Sequence, residues 1–532
     1  MFRKAIAVCV VFSMLLLFGC NHSASISGDL IEVVEIDDVS LDEFTRGIFG
    51  EGGASDMVLA LLGLSKETSL IPILERDLKA NRSELRNESG SPMSEAEISE
   101  CLQANKDALS FRVKSLRLKY LTTSGTGEKI VASSRILACY VKNVFSFWDD
   151  DMKWFLTSDR VLLHNHGTIA KNAQAPTVDK TLLAEDGLLY RAAFSGGMVI
   201  DPDYEGYGIS CDRIHPYLIQ EACSKQCVDA VEAAMEWKRS KYEGNSLHGL
   251  KDDFKMYCFG YSQGGTMSLT VHNYIERNNL AGRLHFKGSL CGDGSYDLCE
   301  TYKFFLDDEN GGIYYPCVIP IILRSYLHCY KDSYLKGYGI SDFFTPEVCN
   351  AIRNGTDNEW ELIDNKGYST TDIDNKIAEA LGIEAGWDKI PSDRILTAAA
   401  RNLESDVAKA MMLAFAENSY VDPKKWKNGK GPEIPVLAVH FKADEICPYV
   451  NMSNLGKLPN VSEYEYSMPL LDTVLGALSS GLESLGWDEN KIDEVKQVLF
   501  HSDGAPVKDA HYTGGILFFV MNIFIEKSYE KI

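Results

Sequence analysis

The sequence predicts an α/β fold: a mostly parallel central sheet flanked by helices, with a large, mainly helical cap insertion. Three observations carry this. Apolar strand-like runs around Asp159–Leu163, Met198–Ile200, Phe254–Phe259, Leu284–Leu290 and Ile434–Val439 each end in a turn, and several lead into helix-like segments, the pattern of strands joined by crossovers. One of them, F-K-M-Y-C-F-G-Y-S-Q-G-G from Phe254 to Gly265, reads as a buried strand, a cramped turn carrying Ser262, and a helix. Finally, about 140 residues separate the run ending at Leu290 from the one starting at Ile434, far more than a single crossover needs, and this excess reads as the cap.

The elements follow in chain order. Residues 1–20 combine Arg3 and Lys4, an apolar run from Ala5 to Phe18, and Leu17-Phe18-Gly19-Cys20. This is the layout of a secretory signal, too short to span a bilayer comfortably. It resembles a bacterial lipoprotein signal, and the resemblance implies cleavage before Cys20, acylation of that thiol and membrane attachment through it. The expected location is then the cell envelope, lipid-anchored, with the outer membrane favoured and the exposed side left open. Residues 21–109 read as a polar tether followed by an irregular, partly helical segment, with Asn81 to Glu100 loop-like. Phe111–Thr122 and Glu128–Tyr140 are long strand patterns joined about Ser124-Gly125-Thr126-Gly127, which predicts a hairpin. They open a core spanning 110–300. The cap occupies 301–430, with an apolar start at Gly311–Leu323 and a helix-like stretch at Asp393–Asn418. The core resumes over 431–532, interrupted by a helical insertion carrying Leu471, Leu475, Leu478 and Leu482, and closes on an apolar helix from Ile516 to Lys527.

Composition bounds the function. Of 532 residues, 45% are hydrophobic and 24% charged, so the chain buries a large core, and the formal charge of −23 excludes nucleic acid as a partner. A small-molecule or lipid substrate and a monomeric state are expected. Fourteen cysteines leave twelve once Cys9 and Cys20 are set aside, and in an oxidising compartment some pairing is expected. Cys223 and Cys227, four apart, read as packing or disulfide cysteines, since no second ligand pair stands at zinc-like spacing.

The turn at Ser262 is where chemistry is expected. A serine hydroxyl becomes a nucleophile when it is held exposed beside a base and near donors for an oxyanion, and a sharp strand-to-helix turn gives that exposure. Gly260 and Gly264 are small because strand and helix approach closely there. If the turn is a nucleophile elbow, that reading demands an acid and then a histidine downstream, with an oxyanion loop upstream. Ile434–Phe441 is an apolar strand that breaks at Asp444, which makes Asp444 the candidate acid. Glu445 and the more distant Asp503 compete. Asp201 and Asp203 precede Ser262, in the wrong order, and Asp203 is read as fixing its turn. His511, in Lys508-Asp-Ala-His-Tyr-Thr-Gly-Gly515, is the candidate base on a loop before the closing helix, with His501 as runner-up. Upstream, Asp159–Thr168 ends in H-N-H-G-T, so the amides of Thr168 and Gln263 are the candidate oxyanion hole. His164 and His166 lack a third ligand and are read as shaping that loop. No metal or organic cofactor is called for.

Together, H-N-H-G-T, D-P-D-Y-E-G-Y-G, G-Y-S-Q-G-G, A-D-E-I-C-P and A-H-Y-T-G-G resemble the secretory lipase group of α/β-hydrolases, over roughly residues 110–300 and 430–532. The resemblance implies an α/β-hydrolase fold and carboxylic ester hydrolysis through Ser262, Asp444 and His511. A serine peptidase, or an esterase removing acetyl or feruloyl groups from polysaccharides, would use the same residues. A lipid- or glycan-binding surface lipoprotein on an inactive scaffold is the non-enzymatic alternative. The long N-terminal segment and the lipid anchor depart from the group.

Overall fold

A computed structural model describes residues 28–49, 62–148, 152–180, 184–239, 249–307, 312–383, 389–467 and 510–522, with the single residues 59, 476, 479, 480, 483 and 490. The signal segment with Cys20, the leucine-bearing insertion beyond 470, His501 and Asp503 lie outside the described residues, apart from the isolated positions just named.

Ten strands form one sheet: β1 (Leu30–Ser40), β2 (Ser110–Thr123), β3 (Lys129–Lys142), β4 (Lys153–Phe155), β5 (Ser158–Asn165), β6 (Met198–Pro202), β7 (Leu250–Tyr261), β8 (Phe286–Gly292), β9 (Val436–Phe441) and β10 (Val461–Tyr466). Their order is β1-β2-β3-β6-β5-β7-β8-β9-β10, with β4 added to β3. From β6 to β10 every pairing is parallel, while β1, β2, β3 and β6 pair antiparallel. The hairpin of β2 and β3 turns where the Ser124–Gly127 stretch predicts, with Thr123 opposite Lys129.

The helices cover both faces of the sheet. On one face pack α1 (Leu41–Phe49), α2 (Ile71–Ala80), α3 (Glu95–Asn105), α4 (Ala184–Phe194) and, at the end of the described chain, α13 (Ala510–Met521). The other face carries α5 (Gln220–Arg239) and α6 (Gln263–Arg277). Strand periodicity divides the core between them: Leu162 and Val199 point to the first layer, Val161, Leu163, Met198 and Ile200 to the second. Between β8 and β9 lie α7 (Leu298–Leu306), α8 (Val318–Cys329), α9 (Pro346–Arg353), α10 (Thr370–Ala380) and α11 (Asp406–Glu417), which share a separate apolar core. A short α12 (Val450–Leu455) joins β9 to β10.

Three expectations are corrected. The segment after residue 28 is not irregular but begins with the eleven-residue edge strand β1. Two bulges break its alternation, and cross-strand ion pairs of Glu32 with Lys119, Glu35 with Lys114 and Asp38 with Arg112 hold it instead of a buried apolar face. The polar stretch ending at Glu100 is also not all loop, because Ser94 and Glu97 form a capping box that starts α3. The expected pairing of cysteines is absent: the twelve among the described residues are free thiols. Cys223 and Cys227 lie one turn apart on α5 inside the core, and the Cys223 thiol donates to the Pro216 carbonyl at 3.1 Å.

Candidate functional site

The strand order reverses direction between β5 and β7. β6 follows β5 on one side, and β7 enters on the other, so the chain leaving β5 and the chain leaving β7 diverge to opposite faces at the carboxyl ends. Ser262 sits there at φ 60°, ψ −122°, a conformation that costs a serine of order 1–3 kcal/mol and survives only if the surroundings enforce it. They do. A Cβ on Gly264 would lie 1.8 Å from the Asn165 carbonyl oxygen, one on Gly260 2.2 Å from the same oxygen, and one on Gly265 2.0 Å from that of Gly292. The first turn of α6 is thus pressed against the ends of β5 and β8.

Three of the predicted residues meet here. The His511 Nδ1–H donates to Asp444 Oδ2 at 2.5 Å, and His511 Nε2 lies 2.8 Å from Ser262 Oγ. Because an ionised carboxylate only accepts, Nδ1 carries the proton and Nε2 presents its lone pair to the serine hydroxyl. Asp444 Oδ1 accepts from the amides of Ile446 and Cys447 at 2.8 and 2.9 Å. Burial pushes this carboxyl up, but the His511 ring and its hydrogen bond, His440 and the Cys447 amide outweigh it and hold Asp444 below its ordinary value. The competing Glu445 points elsewhere, half exposed and paired with Lys389 at 2.9 Å. His511 lies in the first turn of α13, which begins at Ala510, six residues before the expected start at Ile516.

The loop after β5 faces the start of α6: the same Cβ on Gly264 would also stand 3.1 Å from the His166 carbonyl oxygen. Its shape is set by the D-P-D-Y-E-G-Y-G turn. Tyr204 donates to the His166 carbonyl at 3.3 Å and Tyr207 to that of Ile169 at 2.6 Å, while Thr168 Oγ1 meets the Tyr217 hydroxyl at 2.6 Å. Asp203 anchors the turn itself, accepting from the Thr177 amide and hydroxyl at 2.8 and 2.6 Å. His215, not foreseen, reaches the other side. Its Nδ1–H donates to the Glu205 carbonyl at 2.8 Å, so Nε2 accepts from the Gln263 amide group at 2.9 Å, and burial lowers this ring to about 3, keeping it neutral.

Solved structures share the fold, though no family model and no curated protein sequence matches the chain. The rice cell wall degrading esterase LipA from Xanthomonas oryzae superposes with a TM-score of 0.52 at 18% identity, covering 83% of this chain and 92% of that one. A ligand-bound form of the same esterase gives 0.53 at 17% identity with the same coverage. Candida antarctica lipase A gives 0.43 at 15% identity, covering 69% and 74%. The chain has the α/β-hydrolase fold.

Within that α/β-hydrolase fold, His164 has a different place from the loop role expected of it. It is buried at the end of β5, with Nδ1 2.9 Å from Asp201 Oδ1 and Nε2 2.7 Å from Glu185 Oε1, the latter out of line for a hydrogen bond. Asp201 and Asp186 each lie 2.7 Å from Arg135 Nη2, so an ion cluster ties β3, β5, β6 and α4 together beneath the site. Burial alone would deprotonate His164, but Asp201 and Glu185 raise it to about 10. Burial likewise opposes the charge on Asp201, but His164 and Arg135 lower it to about 2. The His164 contribution to stability is therefore whole below its ordinary 6.5 and is lost as pH rises toward about 10, and that of Asp201 is whole above 3.8 and is lost as pH falls toward about 2. Denaturant midpoints are expected to fall between neutral pH and about pH 10. His164→Gln should cost about 3–5 kcal/mol at neutral pH and flatten that alkaline slope.

Among the described residues, two groups have ligand atoms within 4.8 Å of one another, Asp444 with Cys447 and His511, and Asp293 with His440 and Asp444. Their carboxylate oxygens are already engaged: those of Asp444 as above, and those of Asp293 by the Phe441 amide at 2.7 Å and the Tyr261 hydroxyl. The rule that selected Asp444, a carboxylate just past the end of a central strand, also finds Asp293 after β8.

The helices between β8 and β9 bear on the site. Ser325 and Tyr326 of α8 donate to the carbonyls of Tyr217 and Leu218 at 3.0 and 3.2 Å, which carries the contact to Thr168. Among these helices lies an apolar cavity lined by Leu298, Phe305, Ile322, Leu323, Met411 and Phe415.

Proposed function

We propose that the chain is a serine carboxylic ester hydrolase acting on esters with an apolar acyl chain. The single observation that carries the reading is the chain of contacts from Ser262 Oγ through His511 to Asp444, at 2.8 and 2.5 Å. In this reading His511 Nε2 takes the Ser262 proton as the oxygen attacks the ester carbonyl, and Asp444 stabilises the imidazolium. The amides of Gln263 and Thr168 receive the oxyanion, and His511 returns the proton to the departing alcohol. Water, deprotonated by the same imidazole, then attacks the acyl-enzyme and releases the acid with Ser262 restored.

The acyl preference rests on taking the apolar cavity among α7, α8 and α11 as the acyl site. Each methylene moved from water into such a site is worth about 0.8 kcal/mol, so four more carbons favour a longer ester by up to roughly 3 kcal/mol. Filling the cavity with Leu323→Trp is expected to lower kcat/KM for octanoyl relative to acetyl p-nitrophenyl ester by on the order of 10- to 100-fold.

The test is labelling of Ser262 by a fluorophosphonate together with turnover of p-nitrophenyl esters of increasing chain length, triacylglycerol, acetylated xylan and a matched amide. Labelling with turnover that grows with chain length supports the proposal. Preference for acetylated xylan moves the assignment to a polysaccharide deacylase, cleavage of the amide moves it to a peptidase, and absence of labelling leaves a binding protein on this fold.

A further inference from the structure

The imidazole at the centre of the site is held through its backbone as well as its ring. Tyr261, the residue before Ser262, is buried at the end of β7 with its hydroxyl oxygen 2.6 Å from the His511 carbonyl oxygen and in hydrogen-bond contact with Asp293 Oδ2. Asp293, 1% exposed, uses its other oxygen to accept from the Phe441 amide at 2.7 Å. The helix bearing His511 comes this close because residue 514 is glycine: a Cβ there would lie 2.4 Å from the Tyr261 hydroxyl and 2.5 Å from Asp293 Oδ2. The three groups are thus locked in one line by packing.

Counting hydrogens along that line is decisive. A phenol brings one hydrogen and a carbonyl brings none, so two hydrogen bonds at the Tyr261 oxygen need a second hydrogen. Of the two groups facing that oxygen, the carboxyl is the one able to bring it. Resting on the reading of His511 as the general base, we infer that Asp293 is a neutral carboxylic acid that donates to Tyr261, which in turn donates to the His511 carbonyl, and that this pair positions the catalytic imidazole. Asp293 is a positioning residue outside the triad, and Asp444 remains the one carboxylate in contact with the ring.

The surroundings favour the neutral acid below about pH 6. Burial is the largest influence on Asp293 and raises it to about 6; Asp444 acts in the same direction, and His440, His511 and the Tyr261 hydroxyl act against it. Around it stand Tyr261 from β7, His440 from β9 with Nδ1 at 3.5 Å, Asp444 and Cys447 from the loop after β9, Tyr466 from β10, Tyr296 from the loop before α7 and His511 from α13. Ionisation reverses the first link. A carboxylate takes the phenolic hydrogen, and the His511 carbonyl then faces an oxygen lone pair.

The test compares kcat and KM on a short p-nitrophenyl ester for wild type, D293N, D293L and Y261F, with thermal unfolding as a check that each is folded. Asparagine reproduces the neutral acid, since its oxygen accepts from the Phe441 amide and its NH2 donates to Tyr261. Below about pH 6 D293N is expected to match wild type in kcat within about twofold, and above it to lack the fall that ionisation of Asp293 gives wild type as pH rises through about 6. Y261F, isosteric and able to fold, and D293L are expected to lose about tenfold in kcat with KM unchanged. Loss in D293N as large as in D293L overturns the inference, because the negative charge is then what matters; so does wild-type kcat in Y261F. Protonation is read without activity by the infrared carboxylic acid band of aspartate-labelled protein at about pH 6, where Asp203 and Asp374 also contribute, as a wild type minus D293N difference: an acid band in the difference supports the assignment, and its absence overturns it. If wild type is neither labelled by fluorophosphonate nor active on esters, the hydrolase reading fails while the infrared result still decides the protonation.

Discussion

Ser262→Ala is expected to lower ester turnover by roughly 10⁴- to 10⁶-fold while leaving thermal unfolding unchanged. The size follows from what is removed. Without the hydroxyl, His511 has no proton to take and no acyl-enzyme can form, and the residual rate comes from the oxyanion donors and binding alone. Stability should hold because the alanine keeps the Cβ that the backbone at φ 60° already accommodates, so the turn carries the same strain. The glycines that enforce this turn are untouched, and so are the Ser262 amide bond to the Gly292 carbonyl at 2.9 Å and the Thr266 amide bond to the Ser262 carbonyl at 3.0 Å. Turnover on a p-nitrophenyl ester, a melting curve and loss of fluorophosphonate labelling measure the three parts. Activity near wild type would end the assignment of the nucleophile.

The sequence makes these residues legible for a physical reason. Central strands are buried on both faces, so β5, β6, β7, β8 and β9 stand out as apolar runs, and the residues at their carboxyl ends are where a parallel sheet exposes chemistry. Chain order then picks Asp444 and His511. What stayed hidden has causes that act between distant segments. β1 is held by charged pairs and carries two bulges, so it shows no period of two. α13 begins at Ala510 despite Gly514 and Gly515, which on propensity alone argue for a loop, because contact with Tyr261 and Asp293 leaves no room for a side chain at 514. The stretch read as helix-like over 393–418 is three pieces, Ser392–Ile395, Ala398–Arg401 and Asp406–Glu417, since Thr397 and Ser405 each cap a new start. The parts played by His215 and Asp293 depend on a single partner each, Gln263 and Tyr261, and no local pattern announces such a pair.

Asp444→Asn is expected to cost about 10⁴-fold in kcat/KM, and Glu445→Gln less than about twofold. Both changes remove one negative charge at neighbouring positions, so their ranking isolates geometry from net charge. An asparagine at 444 can still accept from the Ile446 and Cys447 amides through its oxygen, which leaves its NH2 facing His511 Nδ1. Two donors cannot share that contact. The imidazole then moves its proton to Nε2, where it confronts the Ser262 hydroxyl with a hydrogen instead of a lone pair, and the base is lost although the fold is kept. Glu445, paired at the surface with Lys389, has no path to the ring, and removing its charge breaks one weak ion pair. Because Asp444 is held below its ordinary carboxyl range, it stays ionised across the working pH, and the wild-type acid limb reports another group. The reverse ranking of the two variants in a side-by-side assay would transfer the acid to Glu445.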